Sequence, residues 1–404
     1  MQIFRHVQSA TIIVILGAVA SFGANVLLGR TLTTEHFGHF SLIRSVLFFL
    51  PTFVFLGFGH ALVRISKNEN IFQLDWKQPV RKMEKLSFSI VLILILLIRL
   101  FYPFSLVESI AVGVAAWLLS RIWITNALLR LKKRFVLGQF IPLAWRFIFL
   151  LGLVSVMIWI ELSIEIALFV FFGSFAFAFV INTFFERNIP SGEKPIKLSK
   201  IISSGGFFFL ISAVTLLMTQ MDKFMISATL GTEQVGIYVG VSLVSLTVFN
   251  LVGSTIGYIL MPHLANNNRL GKWETAFYFL LIPTFILVLM LYGGDLANDI
   301  LFKSKFSGHD GLLNLAITLG LLQYFHNLIT FTIGGLANAG EMKMFFVIVA
   351  LSFVLLGIVS YWGSQSGSLF NLLFGVVFAW SLRNVGGGIL LAKIYFCRKG
   401  VIKI

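Results

Sequence analysis

A ten-residue motif occurs twice, and its spacing limits the possible folds more than any other feature of the sequence. Residues 31–40 read TLTTEHFGHF and residues 229–238 read TLGTEQVGIY. Thr31, Leu32, Thr34, Glu35 and Gly38 return as Thr229, Leu230, Thr232, Glu233 and Gly236, an offset of 198 in a chain of 404 residues. Gly59 and Leu62 meet Gly257 and Leu260 at the same offset. Beyond them Lys82, Glu84 and Tyr102 meet Lys272, Glu274 and Tyr292 at an offset of 190, so the first copy carries a longer loop near 64–80. Internal repeats fix architecture before any other signal. The chain is expected to be two copies of one unit, residues 1–190 and 191–404.

Composition says what kind of unit. The chain is 58% hydrophobic and 12% charged, with a mean hydropathy of +0.95. Soluble domains carry about twice that charged fraction. Apolar runs long enough to cross a ~30 Å hydrocarbon core recur throughout, without the alternation that a membrane β-barrel requires. Twelve helical spans are expected, near 9–29, 40–62, 86–103, 109–129, 136–159, 164–185, 201–229, 236–261, 276–293, 311–338, 344–362 and 369–392. Six spans per copy is an even number, so both copies enter the membrane in the same sense. That is a parallel repeat. The fold expected is an all-α polytopic membrane protein of two six-helix lobes.

Lysine and arginine set the orientation. With the N-terminus inside, 22 of them fall in inner segments and 3 (Arg30, Lys303 and Lys305) in outer ones. Both termini are therefore expected to be cytoplasmic. The first span, which could imitate a secretory signal, is expected to be retained because span seven is its counterpart. The inner loop 64–85 is basic and suits the anionic leaflet surface. The join ERNIPSGEKPIKLSK at 186–200 reads as a flexible linker. The largest outer loop is expected at 294–310.

These observations exclude several functions. The net charge of +15 follows from the positive-inside bias, and no nucleic-acid motif accompanies it. Cys397 is the only cysteine, so neither an intramolecular disulfide nor a cysteine-rich metal site is possible. No phosphate-cradling glycine loop appears, and no metal or cofactor is called for. A membrane polymerase or transferase would need a large outer loop or paired catalytic acids, and neither is visible. The run Gly386-Gly387-Gly388 reads as close helix packing or as a hinge.

Six cations lie within the spans: Arg44, Arg99, Arg121, Arg146, Lys223 and Arg383. Arg99 is near a span end, where a long side chain reaches the interface. Asp222 is the one acid expected at membrane depth, and one acid cannot neutralise the other five. A central arginine or lysine costs roughly 2.5–3.5 kcal/mol, so four unpaired ones would cost on the order of 10 kcal/mol. A water-filled cavity that receives an anion relieves that cost, and pairing with backbone carbonyls is the structural alternative. Polar faces accompany the cations: Asn25 with Ser21 on span one, Gln139 with Arg146 on span five, and Gln323, Asn327 and Thr330 on span ten. His326 and Asp222 are candidates for ion coupling, or else packing and charge-balancing residues.

Two stretches carry a resemblance. The pattern LLGRTLTTEHFGHFSLIRS, followed by a helix ending LGFGHALVRIS, resembles the start of Wzx-type polysaccharide flippases. TQMDKFMISATLGTEQVGIYVGVSLVSL resembles their seventh and eighth helices, with Asp222-Lys223 and Gly236-Ile237-Tyr238 at the characteristic places. The resemblance implies a MATE-like fold of the multidrug/oligosaccharidyl-lipid/polysaccharide exporter superfamily in a bacterial inner membrane. It implies an undecaprenyl-diphosphate-linked oligosaccharide, an O-antigen or capsule repeat unit of the kind built into lipopolysaccharide, moved by alternating access. Coupling to H+ or Na+ is implied, with a polysaccharide polymerase and a chain-length regulator as partners in the pathway. Arg44, Arg121, Arg146, Lys223 and Arg383 are the candidate cavity cations. A MATE-type drug antiporter shares the fold but would favour an acidic cavity.

Overall fold

The computed structural model describes residues 2–66, 71–267 and 271–398. Lys67, Arg269, Lys399 and Lys403, which belong to the 22 inner cations, and the Cys397 side chain lie outside what is described. The chain is helical almost throughout. Some helix starts follow from the sequence. Ser105 and Asn338 cap the helices that follow them, and Glu108 and Glu341 return the bond to the cap backbone. These reciprocal pairs satisfy N–H groups that no helix can satisfy internally.

Twelve long helices form the two copies. The first six are α1 (Gln2–Thr31), α2 (Thr34–Val54), α4 (Lys77–Phe101), α5 (Leu106–Leu131), α6 (Phe135–Trp159) and α7 (Ile164–Arg187). The second six are α8 (Leu198–Leu230), α9 (Thr232–Asn267), α11 (Ile282–Phe302), α12 (Asp310–Leu336), α13 (Ala339–Ser364) and α14 (Leu369–Arg398). Short α3 (Phe58–Ile65) and α10 (Lys272–Ala276) complete the set. Eleven are long and apolar enough to cross a membrane. The other, α4, carries Glu84, Lys85 and Arg99 along its apolar stretch, yet exposes Leu92, Ile93, Leu96, Leu97 and Leu100 as a hydrophobic face. Arg99 bonds the Phe104 carbonyl at 2.7 Å just past the end of α4.

Three expectations need correction. The span expected at 40–62 breaks after Val54, where Leu56 and Gly57 are left-handed (φ 46° and 72°); Pro51, one turn earlier, removes a helical hydrogen bond and weakens the turn before the break. At the repeat offset Pro51 is replaced by Phe249, and α9 continues through that stretch unbroken. Second, the outer loop expected at 294–310 is mostly helix. A π-helical turn at Phe277–Leu281 precedes α11, which then runs to Phe302. Asn298 is buried there and donates to the Val241 carbonyl at 3.0 Å. Third, the linker is tied down. Lys194–Pro195 pairs in parallel with Leu74–Asp75, and buried Trp76 donates to the Pro190 carbonyl at 2.8 Å.

The chain divides into two compact units, Met1–Leu28 with Phe40–Gln220, and Gly29–His39 with Met221–Ile404. The first unit packs around an aromatic core. Phe40, Phe149 and Phe171 meet at 5.1–5.9 Å, and Trp145 stacks on Phe175 at 4.7 Å. The second unit packs α12 along α9 and α14, and it includes the first copy of the repeat motif. Arg30 donates to the carbonyls of Ile300 (2.6 Å) and Leu301 at the end of α11, while Lys305 donates to those of Gly29 (3.0 Å) and Leu32 at the end of α1. Each helix end thus receives a cation from the other, which suits the partial negative charge there.

The repeat glycines are explained in the same place. A Cβ on Gly38 would lie 1.9 Å from the Thr232 carbonyl oxygen, and one on Gly236 would lie 2.0 Å from that of Thr34. Both glycines are helical rather than turn residues. They are small because the first turns of α2 and α9 cross there, backbone against backbone. Glu35 and Glu233 are exposed in those first turns.

Candidate functional site

The buried cations fall into distinct environments. In the first unit Arg121, on α5, is paired with acids from two neighbouring helices, while its buried Nη1 has no hydrogen-bond partner. Its Nη2 donates to Glu186 Oε1 at 2.8 Å and its Nε lies 3.1 Å from Glu84 Oε1. The second is a charge contact rather than an aligned hydrogen bond. Thr125 and buried Asn182 also reach Glu186, each at 3.4 Å. Asp222 is therefore not the only acid within reach of the buried cations. Glu84 and Glu186 belong to helices α4 and α7, and their helix-end positions hid them in the sequence.

Arg44 and Arg146 are different. Arg44 projects from α2, where its Nη1 donates to Asn25 Oδ1 of α1. Asn25 is itself buried and donates to the Ser21 carbonyl at 2.6 Å. Arg146, on α6, has its guanidinium 5.5 Å from the Trp145 ring, and its buried Nε has no hydrogen-bond partner. The two arginines are near enough for their charges to repel. Among the described residues no carboxylate forms an ion pair with either. Gln139 lies on α6 two turns before Arg146 and is half-buried. Like charges held together without an acid are a place where an anion gains most.

The second unit holds two polar clusters. Asp222, on α8, is buried and accepts from three donors: the Lys223 ammonium at 3.1 Å, the Lys223 backbone N–H at 2.8 Å and the Tyr238 hydroxyl of α9. Lys223 is therefore a paired cation. Tyr238 is the final residue of the second repeat motif, which gives that residue a local reason to be a tyrosine. On α12, Gln323 and Asn327 both bond Asn250 of α9, a residue that the polar stripes of the sequence did not single out.

Arg383, on α14, is 2% exposed. Its Nη1 donates to His326 Nδ1 on α12, and its guanidinium lies 5.1 Å from the Trp380 ring. A guanidinium has no acceptor, so His326 Nδ1 receives the bond and the ring proton sits on Nε2. The Thr330 hydroxyl is 3.0 Å from the same nitrogen. Nε and Nη2 of Arg383 are buried without a hydrogen-bond partner. No group of three or more potential metal ligands occurs among the described residues.

The geometry can be set beside known proteins. Over 96% of this chain and 90% of the other, the fold matches the lipid II flippase MurJ in an inward closed conformation, with a TM-score of 0.72 and 12% identity. It matches the Vibrio cholerae MATE transporter VcmN in the bent form over 100% and 98%, with a TM-score of 0.64 and 13% identity. A Pyrococcus furiosus transporter of the MOP superfamily, described as having a binding pocket of reverse polarity, matches over 97% and 96%, with a TM-score of 0.64 and 11% identity. At such identities the likeness shows the fold, which is the twelve-helix, two-lobed, MATE-like one. No curated protein matches by sequence. Residues 3–268, which include both copies of the repeat motif and four of the five deep cations, match the polysaccharide biosynthesis protein family, and the chain belongs to that family.

Proposed function

We propose that this protein is a flippase that carries an undecaprenyl-diphosphate-linked oligosaccharide from the inner to the outer leaflet of a bacterial cytoplasmic membrane. The observation that carries the reading is that Arg44 and Arg146, two buried cations of the same unit, form no ion pair with a carboxylate among the described residues. A diphosphate is a compact multiple anion, and guanidinium forks match its oxygens. Membership of a polysaccharide biosynthesis family supports the sugar, and the fold shared with a lipid II flippase supports a lipid-linked cargo. A drug antiporter for organic cations would need the opposite charge at this place.

The other cations take secondary parts. Lys223 and Asp222 form a neutral pair, which a coupling H+ or Na+ could open. Arg121 already carries two carboxylates and is a weaker candidate for the diphosphate, although in the sequence it ranked with Arg146 as a candidate cavity cation. The positive-inside bias supports cytoplasmic termini. Export of an O-antigen or capsule unit, with a polymerase and a chain-length regulator downstream, completes the reading. The test is translocation of a defined lipid-linked oligosaccharide in proteoliposomes. Wild-type protein is expected to move it and R44Q/R146Q is not. Equal transport by both would overturn the assignment.

A further inference from the structure

The free edge of Arg383 points to a second kind of anion. A guanidinium has two bidentate edges, and the one formed by Nε and Nη2 presents two parallel N–H bonds. In Arg383 those two nitrogens are buried and unpartnered, while Nη1 is used by His326. Arg121 shows in this same chain what fills such an edge. Its Nε and Nη2 face carboxylate oxygens of Glu84 and Glu186. Arg383 has no carboxylate in ion-pair contact among the described residues.

Charge count distinguishes this place from the first unit. Arg44 and Arg146 supply two positive charges, as a diphosphate requires. Arg383 supplies one, and its neighbours His326, Thr330 and Trp380 add none in the tautomer fixed above. A single guanidinium edge balances a single two-oxygen anion. The amides of Asn250, Gln323 and Asn327, next along α12 and α9, are the donor and acceptor type that meets sugar hydroxyls.

We propose that the Nε–Nη2 edge of Arg383 binds the carboxylate of an acidic sugar, so that the oligosaccharide this protein carries is an acidic one. The proposal rests on the flippase reading above and narrows its substrate. The edge is enclosed in this conformation, and α14 is weakest just beyond it. Gly386, Gly387 and Gly388 follow Arg383 within about a turn, and each glycine costs a helix ~1 kcal/mol relative to alanine. A Cβ on Gly386 or Gly387 would lie 3.0 Å from Ile348 or 2.9 Å from Ile329, so these two glycines let α14 pack closely, whereas a Cβ on Gly388 would meet nothing within 4 Å. The proposal places the ligand's entry at this weak stretch of α14.

The experiment uses the full chain in lipid nanodiscs and measures the shift in thermal unfolding midpoint with glucuronate, glucose, acetate and inorganic pyrophosphate. Glucuronate is expected to stabilise the wild-type protein more than glucose or acetate does. R383K keeps the charge and loses the fork, and it should weaken the glucuronate response about tenfold while leaving the pyrophosphate response intact. R44Q/R146Q should show the reverse pattern. Glucuronate acting no better than glucose, with pyrophosphate still effective, overturns the carboxylate site and leaves the flippase reading standing. Acetate equal to glucuronate overturns the sugar as its source, and an R383K response equal to wild type overturns Arg383 as its seat. A missing pyrophosphate response fails the flippase reading instead. The wild-type arms need no variant, so a poorly folding R383K does not shield the proposal.

Discussion

Arg121 and Arg146 stand on consecutive helices of one unit, and in the sequence they look alike. In the structure Arg121 is held by Glu84 and Glu186, whereas Arg146 lies against the Trp145 ring with its buried Nε unpartnered. The contrast teaches that burial of a charge does not by itself mark a binding site. What marks it is the partner. A doubly paired arginine ties α4, α5 and α7 together, and an arginine without a carboxylate is the one the proposed reading gives to an anion.

Four outcomes would sharpen or break this contrast. The largest effect is expected from R44Q/R146Q, whose translocation of lipid-linked oligosaccharide should fall by about a hundredfold or more, since each pair of charge-assisted bonds contributes about 1.5–3 kcal/mol. Its unfolding midpoint should not fall, because a repulsion has been removed. Normal transport in this variant would erase the distinction. R121M should do the opposite. It leaves Glu84 and Glu186 without their cation and should cost about 3 kcal/mol, in the range seen when a buried pair loses one member, with transport per folded molecule near wild type. Lost transport at unchanged stability would move Arg121 into the binding set.

Smaller effects test the edges of the comparison. E186Q keeps an acceptor for Arg121 and leaves Glu84 in place, so a loss of about 1–2 kcal/mol is expected in the same unfolding measurement. An effect as large as that of R121M would mean that the cluster fails as a unit. K305M removes a cation that bonds only carbonyls, those of Gly29 and Leu32. It should cost about 1 kcal/mol and speed hydrogen exchange at the end of α1, with exchange in α5 unchanged.

Part of this was legible in the residues. The apolar runs located the twelve helices because a helix crossing hydrocarbon must be apolar along its whole length. Even α4 was found, though three charges interrupt it. Helix ends were less legible. Asp295 and Asp299 read as loop residues, yet α11 continues past both because Asn298 and Phe302 pack inward. The pairing of Arg121 was not legible at all. Glu84 and Glu186 lie 37 and 65 residues from it, and nothing local connects them. Asn250 was missed for the same reason.

The repeat motif draws the line between the two sources. From sequence alone it established a duplicated unit, six spans per copy, and the family resemblance, because these depend on periodicity and order along the chain. It could not say what Gly38 and Gly236 pack against. Only the tertiary structure showed that each glycine admits the backbone of the other copy, at 1.9 and 2.0 Å from where a Cβ would be. Composition and spacing determine which segments enter the membrane, since that is a matter of solvent. Which charges find a partner, and which do not, is settled by contacts between helices far apart in the chain.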